Sequence, residues 1–186
     1  LEAAKNGVET IIMGLGGSAT NDGGTGAAAA CGVRFFDKNG NTFIPVGGTL
    51  KNIDKIDLSQ LHPSLKKLNI ITMCDIDNPL CGESGAAHVF GPQKGATPDM
   101  VKELDEGLSH LSEIAKRDIG VDCCGLAGSG AAGGMGYGMR VFFGSNLQMG
   151  IQTVLDTVHF DELVRDADFV FTGEGKIDTQ SIRGKV

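Results

Sequence analysis

The sequence lacks several features that would assign it to common functional classes. It has no excess of positive charge, since 16 Lys and Arg against 23 Asp and Glu give a net charge of −7. This argues against non-specific binding of nucleic acid or of an anionic membrane, because the overall field attracts neither. No apolar run approaches the length of a transmembrane helix, and the first residues resemble neither a signal nor a transit peptide. We therefore expect a cytoplasmic protein.

The sequence also lacks the usual motifs of metal and nucleophilic chemistry. Its five Cys residues show neither CxxC nor zinc-site spacing, and their odd number predicts reduced, mostly buried thiols. The four His residues are scattered, and no Ser-His-Asp arrangement can be built from the sequence. Both Gly-Lys pairs are followed by an aliphatic residue instead of Ser or Thr, which excludes a Walker-type phosphate loop. Asp75 and Asp77 do not open a calcium loop, because Leu80 occupies the position of the obligatory glycine.

Glycine is abundant, with 29 residues among 186, which is roughly double the ordinary share of about 7%. The stretch GLGGSATNDGGTG, residues 14–26, follows an apolar run and precedes four alanines, so it predicts a strand, a glycine-rich loop and a helix. Glycine reaches positive φ and carries no Cβ, which lets backbone N–H groups converge on an anion. A tight strand-to-helix turn that only packs closely explains the glycines equally well. In the first interpretation the binding residues are Gly16, Gly17, Ser18, Thr20, Asn21 and Asp22.

The order of the predicted elements is typical of an α/β protein. Buried strands are predicted at 8–13, 68–73 and 168–171, and the clearest helix at 98–117. A β-hairpin is predicted over 33–44 and would be antiparallel, so we expect one domain with a mixed β-sheet flanked by helices. The glycine-rich loops should gather at one edge of the sheet.

Three further loops carry candidate binding groups. Asp75 and Asp77 follow the strand predicted at 68–73, where a magnesium role and a structural turn are about equally supported. Lys94 lies in a loop framed by Gly and Pro, where a solvated turn is slightly favoured over a phosphate or carboxylate contact. The loop after the predicted strand at 168–171 lies where ligands of open α/β sheets bind, and its polar residues are Glu174, Lys176, Asp178, Gln180 and Ser181.

Four segments of the chain occur in a characteristic order: GLGGSATNDGGTG, CDIDNPLCGESGAAHVFGPQKGA, GSGAAGGMGYG and TGEGKIDTQSIRGK. Together they resemble the bacterial-type glycerate kinase family, which is unrelated to the P-loop kinases. The resemblance implies phosphoryl transfer from ATP, with Mg²⁺, to a hydroxyl of D-glycerate, giving 2- or 3-phosphoglycerate. Family chains are about twice this length and contain two α/β domains, the second inserted into the first. We therefore expect residues 1–186 to be the inserted domain, truncated from a two-domain kinase, with about 172–186 crossing back to the missing parts of the chain.

Phosphoryl transfer depends mainly on positioning and charge neutralisation, which suits these residues. If the last loop is functional, Lys176 faces phosphate charge and Asp178 orients or deprotonates the glycerate hydroxyl; alternatively, Asp178 or Ser181 caps a following helix. A non-catalytic domain that binds a phosphorylated metabolite or nucleotide remains the second hypothesis, and a homodimer is an open possibility. We expect the chain alone to be inactive or nearly so, because active sites often form between domains. Apolar surface near 1–13 and 169–186 should be unusually exposed.

Overall fold

The computed structural model describes residues 1–173, and a parallel β-sheet and an antiparallel β-sheet form its framework. The parallel sheet has the order β1-β5-β6, and its strands are β1 (Thr10–Gly14), β5 (Asn69–Met73) and β6 (Asn146–Gln148). In its register Thr10 pairs with Asn69 and Ile71 pairs with Asn146. Both pairs are parallel, so the carboxyl ends of all three strands lie at one edge of the sheet.

The antiparallel sheet contains the predicted hairpin and one further strand. Its order is β3-β2-β4, with strands β2 (Arg34–Phe36), β3 (Thr42–Phe43) and β4 (Lys55–Asp57). The predicted α/β fold, with parallel and antiparallel strands flanked by helices, is confirmed. The parallel strand pairs form one sheet and the antiparallel pairs form the other.

Helices surround the two sheets. Along the described chain they are α1 (Glu2–Lys5), α2 (Thr25–Ala30), α3 (Ala86–Phe90), α4 (Pro98–Ile119), α5 (Ala131–Phe143), α6 (Gly150–Thr157) and α7 (Phe160–Leu163). Short 3₁₀ helices occur at Gly47–Asn52, Pro63–Lys67 and Pro92–Lys94. Within residues 1–173, no helix is long and apolar enough to cross a membrane.

The helix α4 begins at Pro98, as its sequence signals predict, and ends at Ile119, two residues beyond the predicted end at 117. The Thr97 Oγ1 atom accepts a hydrogen bond from Met100 N at 3.3 Å, and Pro98 is the first helical residue. Gly120 ends the helix with φ of 80°, a conformation that glycine adopts without strain. One face of α4, including Leu108 and Leu111, is completely buried.

The hydrophobic core lies between the antiparallel sheet, α4 and α5. The rings of Phe35 and Phe142 meet edge to face with their centroids 5.8 Å apart, which ties the antiparallel sheet to α5. Leu50 and Ile53, from the segment before β4, are also fully buried. The parallel sheet contributes much less to this core, although Ile70 of β5 is buried.

Two of the sequence-based strand predictions are wrong in part. The strand at 8–13 forms, but it is not buried, because among residues 1–173 β1 pairs with β5 alone and so lies at the edge of the sheet. Residues 168–171 are not a strand, and no described segment pairs with them. The expected exposure of apolar side chains is found near both places, with Phe169 79% and Phe171 93% exposed. The strands β4 and β6, of three residues each, are too short to show a pattern in the sequence.

Candidate functional site

An open cavity of about 220 Å³ lies where β1 and β5 end. Because parallel strands end at the same edge, the loops that follow β1 and β5 meet there, as the sequence predicts. The loop before α4 and the start of α5 complete the wall. The lining residues are Leu15, Gly16, Gly17, Ser18, Cys74, Asp75, Ile76, Phe90, Gln93, Lys94, Ala131 and Ala132.

Lys94 is the cation of this cavity. Its ammonium group donates hydrogen bonds to Ser18 Oγ at 2.9 Å and to the Thr20 carbonyl oxygen at 2.7 Å. An ammonium group has three N–H donors, and no further acceptor from residues 1–173 takes the third. Burial lowers the pKa of Lys94, and the nearby charge of Asp22 opposes that shift. These contacts show that Lys94 is held against the glycine-rich loop, and its contact with an anion stays a prediction.

The first half of the glycine-rich loop presents free backbone to the cavity. No described residue accepts a hydrogen bond from the N–H groups of Gly16, Gly17 and Ser18. A Cβ added at Gly16 or Gly17 would meet no atom within 4 Å, so nothing in the described chain fills the space beside them. Unpaired N–H groups next to an ammonium group form a site suited to an anion.

Asp22 is engaged in the start of α2. Its Oδ1 atom accepts a hydrogen bond from Gly24 N at 3.0 Å, and its Oδ2 atom accepts one from Gly26 N at 3.2 Å. Thr25 Oγ1 also donates to the Asp22 carbonyl oxygen at 2.9 Å. The carboxylate therefore satisfies N–H groups that the helix itself leaves unpaired. Whether Asp22 also contacts substrate stays a prediction.

Asn21 lies between the cavity-lining residues 16–18 and Asp22, and its side chain has an unusual environment. Both polar atoms of its side chain, Nδ2 and Oδ1, are buried, and neither has a hydrogen-bond partner in the described chain. A Cβ on Gly47 would lie 2.9 Å from the Asn21 carbonyl oxygen, so the backbone around Asn21 is held tightly. A buried amide without a partner costs free energy unless a ligand or water satisfies it. Asn21 thus keeps its place among the candidate binding residues.

The start of α5 packs against the glycine-rich loop, and the sequence does not reveal this contact. Ala132, Gly133 and Gly134 all have positive φ, at 52°, 71° and 87°. This left-handed turn lets the Gly133 carbonyl oxygen accept a hydrogen bond from Gly23 N at 3.1 Å. Ala132 has a Cβ, so its conformation costs roughly 1–2 kcal/mol, and it lies in the cavity wall. The pattern of glycines predicts an irregular segment here, but not its partner.

The predicted metal ligands Asp75 and Asp77 have different positions. Asp75 lines the cavity, and its Oδ1 atom accepts a hydrogen bond from Gly150 N, at the first residue of α6, at 2.9 Å. Asp77 lies outside the group of residues that form the cavity wall. No cluster of three or more His, Cys, Asp or Glu side chains suited to a metal ion occurs in the part of the chain that the structure describes. A single carboxylate still fits Mg²⁺, which often takes one or two carboxylates together with phosphate oxygens.

Five candidate residues of the last loop lie outside the described residues. They are Glu174, Lys176, Asp178, Gln180 and Ser181. Their predicted roles in phosphate contact and proton transfer stay predictions.

Comparison with known proteins finds a family match along the whole chain. The model of the Glycerate kinase family matches residues 1–186. The chain is 54% identical over 179 residues to a glycerate kinase of Haemophilus influenzae, a match that covers 96% of this chain and 47% of that protein. It is 47% identical over 186 residues to glycerate 2-kinase of Escherichia coli, covering 100% of this chain and 49% of the relative.

A solved structure shows the same fold. It is a crystal structure of a protein assigned as glycerate kinase 2 of Salmonella typhimurium LT2, with a TM-score of 0.90 and 48% sequence identity. The match covers 99% of this chain and 49% of that one. The chain thus spans about half the length of the relatives it matches.

Proposed function

The chain belongs to the glycerate kinase family, and from this we propose that it is part of a kinase that transfers a phosphoryl group from ATP to a hydroxyl of D-glycerate. The observation that carries the proposal is that Lys94 lies in one cavity with the backbone N–H groups of residues 16–18, which donate to no described residue. Such a group of donors neutralises the charge of a phosphoryl group and holds it in position, which is most of what phosphoryl transfer requires.

The size of the cavity is consistent with this role. At about 220 Å³ it is smaller than the 300–1,000 Å³ or so of typical pockets for drug-sized ligands. It accommodates a phosphoryl group or a three-carbon hydroxy acid more readily than a whole nucleotide. We infer that the rest of ATP contacts surface beyond this cavity.

We propose roles for the charged residues around the transferred group. Lys94 donates its remaining ammonium hydrogen to a phosphate oxygen, and the N–H groups of residues 16–18 donate to the same group. Asp75 is positioned to hold Mg²⁺, which supplies further charge neutralisation when bound. Lys176 and Asp178, outside the described residues, are proposed to face the phosphate and to orient the glycerate hydroxyl. Glu174, Gln180 and Ser181 are proposed to complete the binding set.

The arrangement of the whole protein is part of the same proposal. We infer that residues 1–186 form one α/β domain of a longer protein, with about 172–186 leading to its second domain. The proposal is supported by the coverage, since this chain aligns with 47–49% of the relatives named above. A homodimer and a cytoplasmic location stay predictions.

An assay of the full-length protein tests the proposal against the second hypothesis, a non-catalytic domain that binds a phosphorylated metabolite or nucleotide. ADP release is measured with ATP, Mg²⁺ and D-glycerate, and the same mixture without D-glycerate is the control for ATP hydrolysis. We expect turnover that depends on D-glycerate, and phosphorus NMR of the product distinguishes 2- from 3-phosphoglycerate. Tight nucleotide binding without turnover would favour the second hypothesis. Residues 1–186 alone are expected to show little or no turnover.

A further inference from the structure

Three of the five cysteines lie together outside the proposed phosphate cavity. Cys81, Cys123 and Cys124 lie near the side chain of Tyr137, which is completely buried. None of the three thiols lines the cavity that contains Lys94. This thiol cluster has no part in the proposed phosphoryl transfer, so its chemistry is a separate question.

Two of the three cysteines are held side by side by the backbone, because Leu80 N donates to the Cys124 carbonyl oxygen at 2.9 Å. The thiols of Cys81 and Cys124 lie close enough for each to shift the pKa of the other. Ser109 and Ser112, one turn apart on α4, also influence the pKa of Cys81 and of Cys124 respectively. Both cysteines are only partly buried, so a small solute can reach them.

The interaction shifts the pKa values of the two thiols in opposite directions. The interaction with Cys81 lowers the pKa of Cys124, and a weaker contribution from Ser112 has the same sign. The same interaction, together with burial, raises the pKa of Cys81. The pair therefore favours the thiolate form at Cys124 and the thiol form at Cys81. A thiolate with a second thiol beside it is the arrangement of reactive dithiol sites.

We propose that Cys81 and Cys124 form a site of reversible oxidation, at which a peroxide converts the two thiols into a disulfide. The Cys124 thiolate attacks one oxygen of hydrogen peroxide, an S–O bond forms, the O–O bond breaks, and hydroxide leaves and is neutralised to water by a proton from the buffer. The Cys81 sulfur then attacks the Cys124 sulfenic acid, and the S–S bond forms. The sulfenic hydroxyl leaves as water with the Cys81 proton. The two thiols lose two electrons in total, and the peroxide gains them.

Cys123 is a matched control within the same cluster. It is the sequence neighbour of Cys124, and consecutive Cα atoms are about 3.8 Å apart, which is shorter than the roughly 4.4–6.8 Å span of ordinary disulfides. Its thiol is buried, and burial raises the pKa of Cys123 to about 11. Both properties oppose its oxidation and its pairing with Cys124.

Peptide mapping of the full-length protein tests the site. The reduced protein is treated with stoichiometric hydrogen peroxide, remaining thiols are blocked, and the peptides are identified by mass spectrometry. We expect the Cys81 and Cys124 peptides to be joined, with the loss of two hydrogen atoms and reversal by dithiothreitol. Cys81→Ser should abolish the link and leave a sulfenic acid at Cys124 that dimedone traps, whereas Cys123→Ser should keep the link. A disulfide between Cys123 and Cys124, or no disulfide at all, would overturn the proposal.

A second measurement needs no variant and therefore does not depend on the folding of one. The rate of alkylation by iodoacetamide is measured at each cysteine of the reduced protein near neutral pH. Because only the thiolate reacts, we expect Cys124 to react about tenfold faster than Cys31, whose pKa is raised by burial. Equal rates at Cys124 and Cys31 would show that the pair does not produce a reactive thiolate.

Discussion

The glycine-rich loop between β1 and α2 has an open half and a packed half. In the open half, residues 16–20, a Cβ on Gly16 or Gly17 would meet nothing within 4 Å. In the packed half, residues 21–26, a Cβ on Gly23 would lie 2.4 Å from Leu111 Cδ2, and one on Gly24 would lie 3.2 Å from Gly138 Cα. Gly23, Gly24 and Thr25 are buried, whereas the open half is mostly exposed.

The difference shows that one run of glycines serves two physical purposes. In the packed half, glycine permits contact between backbones, since α4 and α5 leave no room for side chains. In the open half, no described residue needs the missing Cβ, so glycine there leaves space for a ligand to approach the backbone. The close-packing interpretation therefore applies to 21–26, and the proposed phosphate contact to 16–20. Substitutions on either side of this division test it.

The largest effect is expected for Gly133→Ala, which disrupts the contact between α5 and the junction of the two halves at Thr20 and Asn21. A Cβ at Gly133 would lie 1.9 Å from the Thr20 carbonyl oxygen, and φ of 71° is unfavourable for alanine. Because the clash is with backbone on a fully packed contact, we expect the free energy of unfolding to fall by more than about 4 kcal/mol. Urea denaturation followed by circular dichroism measures this change.

Gly125→Ala is the matched control for Gly133→Ala. A Cβ at Gly125 would meet nothing within 4 Å, and its φ is not positive. Its effect on the free energy of unfolding should stay within about 0.5 kcal/mol. A stable, fully active Gly133→Ala protein would show that the close contact between α5 and the glycine-rich loop is not needed to position the site.

The second largest effect is expected for Lys94→Met, which removes the cation from the open half. Met keeps most of the aliphatic length of Lys but loses the hydrogen bonds to Ser18 and Thr20 and the charge. We expect kcat/KM of the full-length protein to fall at least about a hundredfold, or about 2.7 kcal/mol of transition-state stabilisation. Lys102→Met, on the exposed face of α4, is the control for loss of a positive charge. Unchanged kcat/KM with a lower melting temperature would show that Lys94 stabilises the fold and does not act on the substrate.

Sequence patterns reveal the fold where they are long and periodic. The helix α4 begins at the predicted residue, with Thr97 as its cap and Pro98 at its first position, and it ends at Ile119, two residues beyond the predicted end. The β1 strand, the loop and α2 also follow the predicted order. Strands of three residues, such as β4 and β6, form through contacts with residues distant in the chain. A local sequence pattern therefore does not predict them. The strand predicted at 168–171 fails because an apolar run alone does not supply a pairing partner.

The candidate site was predictable in its residue types but not in its pairings. The meeting of Lys94 with Ser18 joins residues 76 positions apart, and hydrophobic periodicity contains no information on such contacts. The choice between capping and substrate contact at Asp22 likewise depends on where the N–H groups of α2 point. The sequence does not indicate the unusual conformation of Ala132, because alanine is ordinarily a helix former. Its positive φ follows from the contact between the start of α5 and the glycine-rich loop.

A smaller effect is expected for Gly16→Ala, in the open half of the loop. Its φ is not positive and a Cβ there meets no described atom within 4 Å, so the free energy of unfolding should change by less than about 0.5 kcal/mol. The added methyl group would intrude on the ligand, and we expect KM for ATP or D-glycerate to rise about tenfold, or about 1.4 kcal/mol. Gly48→Ala, another glycine with open space around it, is the control. Unchanged kinetic constants would place the ligand elsewhere.

The smallest effect is expected for Asp22→Asn, at the boundary between the two halves. Asn has one side-chain oxygen, so it cannot accept from Gly24 N and Gly26 N through two separate oxygen atoms as the carboxylate does. We expect a loss of about 1 kcal/mol or less in the free energy of unfolding, with kcat within about twofold of the original, because the carboxylate serves α2. Asp99→Asn, in the first turn of α4, controls for removal of a negative charge near a helix N-terminus. If kcat instead falls tenfold or more while stability is unchanged, Asp22 acts on the substrate or on Lys94, and the open half of the loop extends to include Asp22.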